Sequence, residues 1–126
     1  QAHRRYHLRH VVTALDARMG EVYAATWHCL KDTITPMSAE TVLAPEALRL
    51  PGDETDWVGV GSGFTLWERF TVDLQLSMPQ HLDDLEPRAE EMAWLAARDF
   101  AAGLGQVAHL VQPVYLRNDV AWKKPA

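Results

Sequence analysis

The chain contains a single cysteine among its 126 residues, so it cannot form an internal disulfide, and a reducing cytoplasm is the expected compartment. It also lacks an excess of positive charge, because 12 Lys and Arg residues face 17 Asp and Glu residues and give a formal net charge of −5. A protein that binds nucleic acid across its whole surface is basic, so this balance argues against that class. No apolar run approaches the roughly 18 residues of a membrane-spanning helix. These absences predict an acidic cytoplasmic protein that does not cross a membrane.

What the chain does contain is ordinary globular composition, with 48% hydrophobic and 23% charged residues, which suits one domain with a real core. It begins with Gln, and its first ten residues, QAHRRYHLRH, hold three Arg and three His but almost no core-forming side chain. We therefore expect the chain to be a fragment of a longer polypeptide. Residues 1–10 are expected to be a cut end, and residues 11–126 a single domain.

The strongest structural signal is an antiparallel hairpin over residues 10–29, with HVVTALDA and EVYAATWHC as its arms and a short link containing Gly20. Both alternating sets of the second arm carry apolar residues, which predicts a strand covered on both faces. A third strand is expected within residues 34–43, interrupted by Pro36, and Pro45 is expected to open a short helix.

The second half of the chain reads as strand, glycine turn and helix, over residues 57–70. Residues 71–78 alternate and predict a half-buried strand, and residues 79–86 a loop. A helix is predicted from Pro87 to Ala102, followed by Gly103 and, from Val111, an extended tail. Helical spacing predicts that one side of this helix is buried, through Ala89, Met92, Ala93, Ala96 and Phe100. This order is compatible with a ribonuclease-H-like α/β layer structure.

The glycine turn GVGSG at 59–63 is the first candidate for chemistry, because such turns can bind phosphate. It lacks the third glycine of the dinucleotide fingerprint and the Lys of a Walker loop, which favours a plain tight turn and leaves a weak nucleotide contact open. Ser62 lacks the glycine spacing of a hydrolase elbow. Cys29 is expected to be a small core residue rather than a nucleophile.

One histidine and three carboxylates lie close together in the loop before the predicted helix, at His81, Asp83, Asp84 and Glu86. Their spacing fits no known calcium loop, so a solvated acidic loop is expected. His3 and His7 are four residues apart but have no third ligand at a suitable spacing. We predict no catalytic residue, no metal ligand and no cofactor.

Three charged residues surround the hairpin turn, Asp16, Arg18 and Glu21, and either an exposed tip or a protein interface explains them. Basic residues also cluster at both ends of the chain, in Arg4, Arg5 and Arg9 and in Arg117, Lys123 and Lys124. These two patches leave open a role as an RNA-binding module or, more readily, as one rim of a larger assembly.

Four segments are similar to the second half of the bacterial TsaB (YeaZ) family: ALDARMGEVYAA at 14–25, VGVGSGF at 58–64, PRAEEMAWLAARDFAAG at 87–103 and QPVYLRNDVAWKK at 112–124. The resemblance covers essentially the whole chain. It implies half of an actin-like (ASKHA) ATPase fold, a mixed β-sheet flanked by helices. On this resemblance residues 1–10 are the truncated end of an interdomain helix, and residues 11–126 are the C-terminal domain.

The resemblance also implies a function. The family supplies a non-catalytic subunit that supports the TsaD transferase and the TsaE ATPase in forming N6-threonylcarbamoyladenosine at position 37 of tRNA. It implies a cytoplasmic protein that contacts tRNA at most indirectly and can form a homodimer. Five residues match the family motifs and become candidate interface or cleft residues: Asp16, Arg18, Glu21, Tyr115 and Arg117. The alternative is a nucleotide-hydrolysing or M22 peptidase-like enzyme whose site lies in the missing half.

Overall fold

A computed structural model describes residues 1–31 and 33–117 of the chain. Its elements are α1 (Ala2–Tyr6), β1 (His10–Asp16), β2 (Val22–Leu30), β3 (Thr33–Pro36), β4 (Thr41–Leu43), β5 (Val58–Val60), α2 (Val72–Ser77), β6 (Gln80–Leu82) and α3 (Ala89–Ala101). Short 3-10 helices span Pro45–Ala47, Ser62–Arg69 and Ala108–Leu110. The fold is mixed α/β, as predicted.

The strands form a mixed sheet in the order β3-β2-β1-β5-β6, with β4 also paired to β2. β1 and β2 form the predicted antiparallel hairpin, in which Ala14 pairs with Ala24. β5 runs parallel to β1, and β6 runs parallel to β5. Because parallel strands end at the same edge of a sheet, the residues that follow β1, β5 and β6 meet there.

The two faces of the sheet are covered unequally. The main core fills one face, where β1 and β2 pack against the 3-10 helix Ser62–Arg69 and α2; its fully buried side chains include Val12, Trp57 and Phe64. A smaller cluster on the other face joins Ala2, Val11, Cys29 and Val60. Alternation along β1 places Val11 and Val12 on opposite faces. β1 is therefore covered on both sides, and so is β2, for which this was predicted.

Other predictions from the sequence are confirmed. The third strand is divided near its proline, since β3 ends at Pro36 and β4 begins at Thr41. Pro45 begins a short 3-10 helix, and the glycine turn joins β5 to a 3-10 helix. Residues 111–117 of the predicted tail have no helix or strand, and the rest of that tail lies outside the described residues.

The prediction of a strand at residues 71–78 is wrong, because most of this segment is the helix α2. Thr71 caps it: its hydroxyl oxygen accepts a hydrogen bond of 3.2 Å from the Leu74 N–H. Leu74 and Met78, four residues apart, are buried, whereas Val72 and Leu76 are 68% and 74% exposed. The alternating apolar residues therefore do not share one buried face. Only the residues four apart, Leu74 and Met78, lie on the narrow buried side of the helix.

The loop predicted at residues 79–86 contains the strand β6. This strand has only three residues, too few to show an alternating pattern, and pairs with β5 in the register Val58 to Gln80. Its formation depends on the edge that β5 offers, which the local sequence does not encode.

The predicted helix at 87–102 is present as α3, but its predicted buried stripe is wrong. No residue of α3 is buried, and Met92 and Phe100 are 66% and 80% exposed. The apolar spacing is real, but the described residues leave this stripe exposed. The periodicity of the apolar residues predicts the helix correctly, but it does not show whether another element packs on the apolar side.

Candidate functional site

The hairpin corner, residues 16–21, has an uncommon backbone. Arg18, Met19 and Gly20 are all left-handed, with φ of 66°, 57° and 74°. A left-handed conformation costs a residue with a Cβ atom about 1 kcal/mol or more. Hydrogen bonds close the turn, from the Ala17 N–H to the Glu21 carbonyl (2.9 Å) and from the Glu21 N–H to the Arg18 carbonyl (3.1 Å).

Arg117 holds this corner from almost one hundred residues further along the chain. Its Nη1 donates to the Ala17 carbonyl at 2.9 Å, and its Nη2 donates to Glu21 Oε1 at 2.7 Å. Nη2 also lies 3.4 Å from the Arg18 carbonyl oxygen. The Arg117 side chain is only 18% exposed, so this ion pair is better shielded from water than a typical surface pair.

A second arginine, Arg69, holds the other side of the turn. Its Nη1 donates to the Gly20 carbonyl at 2.8 Å, while Nε and Nη2 donate to Glu46 Oε1 and Oε2 at 2.7 and 3.0 Å. The two-point geometry fixes the guanidinium plane. Neither Arg69 nor Glu46 is predicted as a site residue from the sequence, because neither belongs to a motif and they are 23 residues apart.

The Arg69–Glu46 pair gives the corner a pH dependence. The hydrogen bonds from Arg69 hold the pKa of Glu46 below its ordinary value. The contribution of the pair is therefore complete above the ordinary carboxyl pKa and is lost as the pH falls through the lowered one. We expect the protection factor of the Glu21 amide, the ratio of the exchange rate of an unstructured amide to its own at the same pH, to fall as the solution is acidified through this range. In Glu46→Gln that acid-dependent loss of protection is expected to disappear, as measured by NMR; an unchanged acid dependence of the protection factor would contradict the assignment.

Asp16 and Ser62 join the end of β1 to the glycine turn after β5. The Ser62 hydroxyl oxygen accepts the Asp16 N–H at 3.0 Å, and Asp16 Oδ1 accepts the Arg18 N–H at 2.8 Å. Within residues 1–31 and 33–117, no histidine hydrogen-bonds to Ser62. The expected tight turn is present, with Gly61 at φ 118° and ψ 171°, a region that essentially only glycine occupies.

The structure thus brings together four of the five predicted site residues. Asp16, Glu21 and Arg117 contact the turn, and Arg18 lies in it with an exposed side chain. Tyr115 is 78% exposed and makes no side-chain hydrogen bond to the described part of the chain. Lys123 and Lys124, of the predicted C-terminal basic patch, lie outside the described residues.

The N-terminal basic patch contacts carboxylates and an aromatic ring of α3. Arg4 lies 2.5 Å from Glu91 and 3.9 Å from Glu90, and its guanidinium carbon is 5.7 Å from the centre of the Trp94 ring. Arg5 donates to the Gln1 side chain at 2.9 Å. The contacts of Arg4 attach α1 to α3.

The acidic loop before α3 has one internal contact of note, between His81 Nδ1 and Asp83 Oδ1. The His81 ring also stacks on Trp67, with ring centres 4.4 Å apart. In the portions of the chain that the structure covers, no group of three or more His, Cys, Asp and Glu side chains is placed to hold a metal. Over the same portions, no helix has the length and apolar character needed to cross a membrane.

An apolar groove of about 470 Å³ lies on the less covered face of the sheet, between β1, β2, β5 and α3. Its lining includes Val11, Leu15, Trp27, Val60 and Leu95. Cys29 also lines it, and burial raises the pKa of this thiol. The first residues of α1 lie at the groove, and Ala2 is buried there.

Comparison with known proteins identifies relatives. The chain is 38% identical over 117 residues to the tRNA threonylcarbamoyladenosine biosynthesis protein TsaB of Escherichia coli K12. The aligned region covers 90% of this chain and 50% of that protein. It superimposes on YeaZ from Pseudomonas aeruginosa with a TM-score of 0.81 and 33% identity, over 90% of this chain and 53% of that one. A second crystal structure, of an uncharacterized protein with similarity to peptidase YEAZ from Pseudomonas aeruginosa, gives a TM-score of 0.82 and 34% identity, over 92% and 53% of the two chains.

No protein-family model matches the chain. The sequence comparison and the structural comparison nevertheless each find relatives at 33% identity or more. The chain is a homologue of TsaB and YeaZ with their actin-like, RNase H-like fold, and it spans about half of their length.

Proposed function

We propose that this chain acts in the formation of N6-threonylcarbamoyladenosine in tRNA, as part of a non-catalytic subunit that supports the TsaD transferase. The observation that carries the proposal is the 38% identity to TsaB over 90% of the chain. The structure adds support, because the two most specific matching segments, around 16–23 and 114–118, meet through the ion pair between Arg117 and Glu21.

A non-catalytic role is supported by what the reactive side chains do. The Ser62 hydroxyl binds a backbone N–H, His81 is paired with Asp83 and stacked on Trp67, and Cys29 is buried with a raised thiol pKa. Each of these groups has a packing or hydrogen-bonding role, and none of these contacts forms a nucleophile–base pair. The nucleotide-hydrolysing or peptidase-like alternative requires a site in the part of the protein that this chain does not contain.

The RNA-binding alternative has less support. Arg4 is engaged with Glu91, and Arg117 with Glu21, so each predicted basic patch has an arginine already neutralised. The net charge of −5 adds to this. The proposed partners are therefore proteins, the TsaD transferase and the TsaE ATPase, with tRNA contacted indirectly in the cytoplasm and a homodimer as a further state.

In the intact protein, we propose that residues 1–10 end a helix that joins this domain, residues 11–126, to the other half. α1 ends at Tyr6, reverses through His7 at φ 57°, and enters β1 at His10. Helical residues before Gln1 would then run along β1 above Val11, Thr13 and Leu15, which line the groove. β1 rises by about 13 Å between Val11 and Leu15, the length of about nine helical residues.

This domain arrangement predicts the reactivity of Cys29. We expect its thiol to react faster in the isolated chain than in the intact protein, where the helix covers the groove. Because burial raises its pKa, the rate should still be rising at pH values above the ordinary thiol pKa. Alkylation followed by mass spectrometry measures the rate at this site. Equal rates in both proteins would contradict the groove-filling helix.

Reconstitution tests the proposed role. Purified TsaD and TsaE are supplied with tRNA, ATP and threonylcarbamoyl-adenylate, with or without the intact protein. We expect product to form at an appreciable rate only when the protein is present, and Ser62→Ala and Asp16→Asn to retain that support. Hydrolysis of ATP or of a peptide by the intact protein alone would instead establish the enzyme alternative, and its loss in either variant would place part of the site in this chain.

A further inference from the structure

We propose that Arg18 and Met19, the tip of the hairpin corner, form a rigid docking element for an acidic protein surface beside an apolar depression. Arg69 and Arg117 are the positioning residues that hold this tip. The inference rests on the proposed function in one respect, that the partner belongs to the threonylcarbamoyladenosine machinery.

The tip carries a charge that the described residues do not compensate. Every other charged side chain that contacts the corner is already engaged: Glu21 with Arg117, Glu46 with Arg69, and Asp16 with the Arg18 backbone N–H. The Arg18 side chain is exposed, and it forms no ion pair with residues 1–31 or 33–117. Arg18 is thus the cation of the corner that is available to a partner.

The tip is also held in a backbone conformation that the chain does not favour by itself. Arg18 and Met19 are both left-handed, at a cost of about 1 kcal/mol or more each. Arg117 binds the carbonyls of Ala17 and Arg18, and Arg69 binds that of Gly20. Strained backbone held by surrounding structure is found at ligand clamps and recognition sites, because an ordered element loses less entropy on binding.

The chemistry of the tip identifies the kind of partner. Met19 is 61% exposed beside Arg18, and Arg and Met are among the residues enriched in protein interfaces. A carboxylate facing Arg18 would gain a charge-assisted hydrogen bond, and an apolar surface would cover Met19. RNA is disfavoured, because the single arginine side chain at the tip of a chain of net charge −5 cannot neutralise several phosphates.

Binding of the intact protein to purified TsaD and, separately, to TsaE tests this by isothermal titration calorimetry. We expect Arg18→Ala and Met19→Ala each to weaken binding to one of them by about tenfold, with Arg18→Glu weaker still. Arg9→Ala is the matched control, since Arg9 is also exposed and its side chain makes no hydrogen bond to the described residues, and it should bind like the parent.

The positioning role has its own measurement. Arg117→Lys and Arg69→Lys should weaken the same binding and raise the hydrogen-exchange rate of the Glu21 amide, while Arg18→Ala should leave that rate unchanged. Unchanged binding in both Arg18→Ala and Met19→Ala overturns the docking element even if the protein still supports tRNA modification. Loss of tRNA binding or of self-association in Arg18→Ala, with protein binding intact, also overturns it. Parent protein that binds neither TsaD nor TsaE overturns the partners given under the proposed function.

Discussion

Replacing Gly61 with alanine is expected to destabilise the fold by about 4 kcal/mol, a large effect for one methyl group. Gly61 combines φ 118° with a close approach to the neighbouring strand, where an added Cβ atom would lie inside the van der Waals surface of the Ala14 carbonyl oxygen. The parallel pairing of β1 and β5 fixes that oxygen, so the clash cannot be relieved by a side-chain rotation. Denaturant unfolding followed by circular dichroism measures the loss.

Gly103 is the matched control for this substitution. It also has a positive φ, 79°, but no atom of the described residues, its immediate neighbours aside, lies within 4 Å of a Cβ atom built there. Gly103→Ala should therefore incur only the conformational cost, about 1 kcal/mol. Equal losses in the two variants would show that the tight turn after β5 is not constrained by β1.

Truncating Phe64 to alanine is expected to cost about 3 to 5 kcal/mol, because it empties the centre of the main core. Phe64 is fully buried, and its ring lies 5.2 Å from that of Phe70, centre to centre. It packs under β5, where a Cβ atom on Gly59 would be only 2.7 Å from its ring. The same unfolding measurement applies, and a lowered midpoint with a similar slope is the expected form of the result.

Phe100 on α3 provides the comparison. It is 80% exposed, so Phe100→Ala in this chain should change the free energy of unfolding by less than about 0.5 kcal/mol. In the intact protein the same substitution is expected to cost more, if the other half packs on α3. A loss in the isolated chain comparable to that of Phe64→Ala would contradict the exposed position of α3.

The sequence predicts the elements whose local pattern is distinctive. The hairpin was predicted with its arms because β-rich residues surround a short Gly-containing link, and the strand before GVGSG because it is a short apolar run. Apolar and polar residues alternate in V-D-L-Q-L-S-M, which predicts a strand where the structure has α2. Its identity rests on the Thr71 cap and on contacts with the core, which propensity does not weigh.

The candidate site shows the same limit. The charges around the hairpin turn point to Asp16, Arg18 and Glu21, a basic cluster points to Arg117, and the family resemblance points to all four. The contacts of Arg117 with the turn span about one hundred residues, and no local pattern predicts them. Arg69 and Glu46 belong to no such segment, and their roles follow from a fold that brings the 3-10 helix Ser62–Arg69 to the hairpin turn. Long-range pairing of this kind is a property of the tertiary structure.

Depletion of the intact protein in its host is the most direct test of the proposed role in tRNA modification. Bulk tRNA is digested and its threonylcarbamoyladenosine is quantified by mass spectrometry before depletion, after depletion and after the protein is restored. We predict that the nucleoside falls on depletion and returns with the parent protein. A level that stays unchanged while the protein is absent would contradict the proposed role, although the fold would stand.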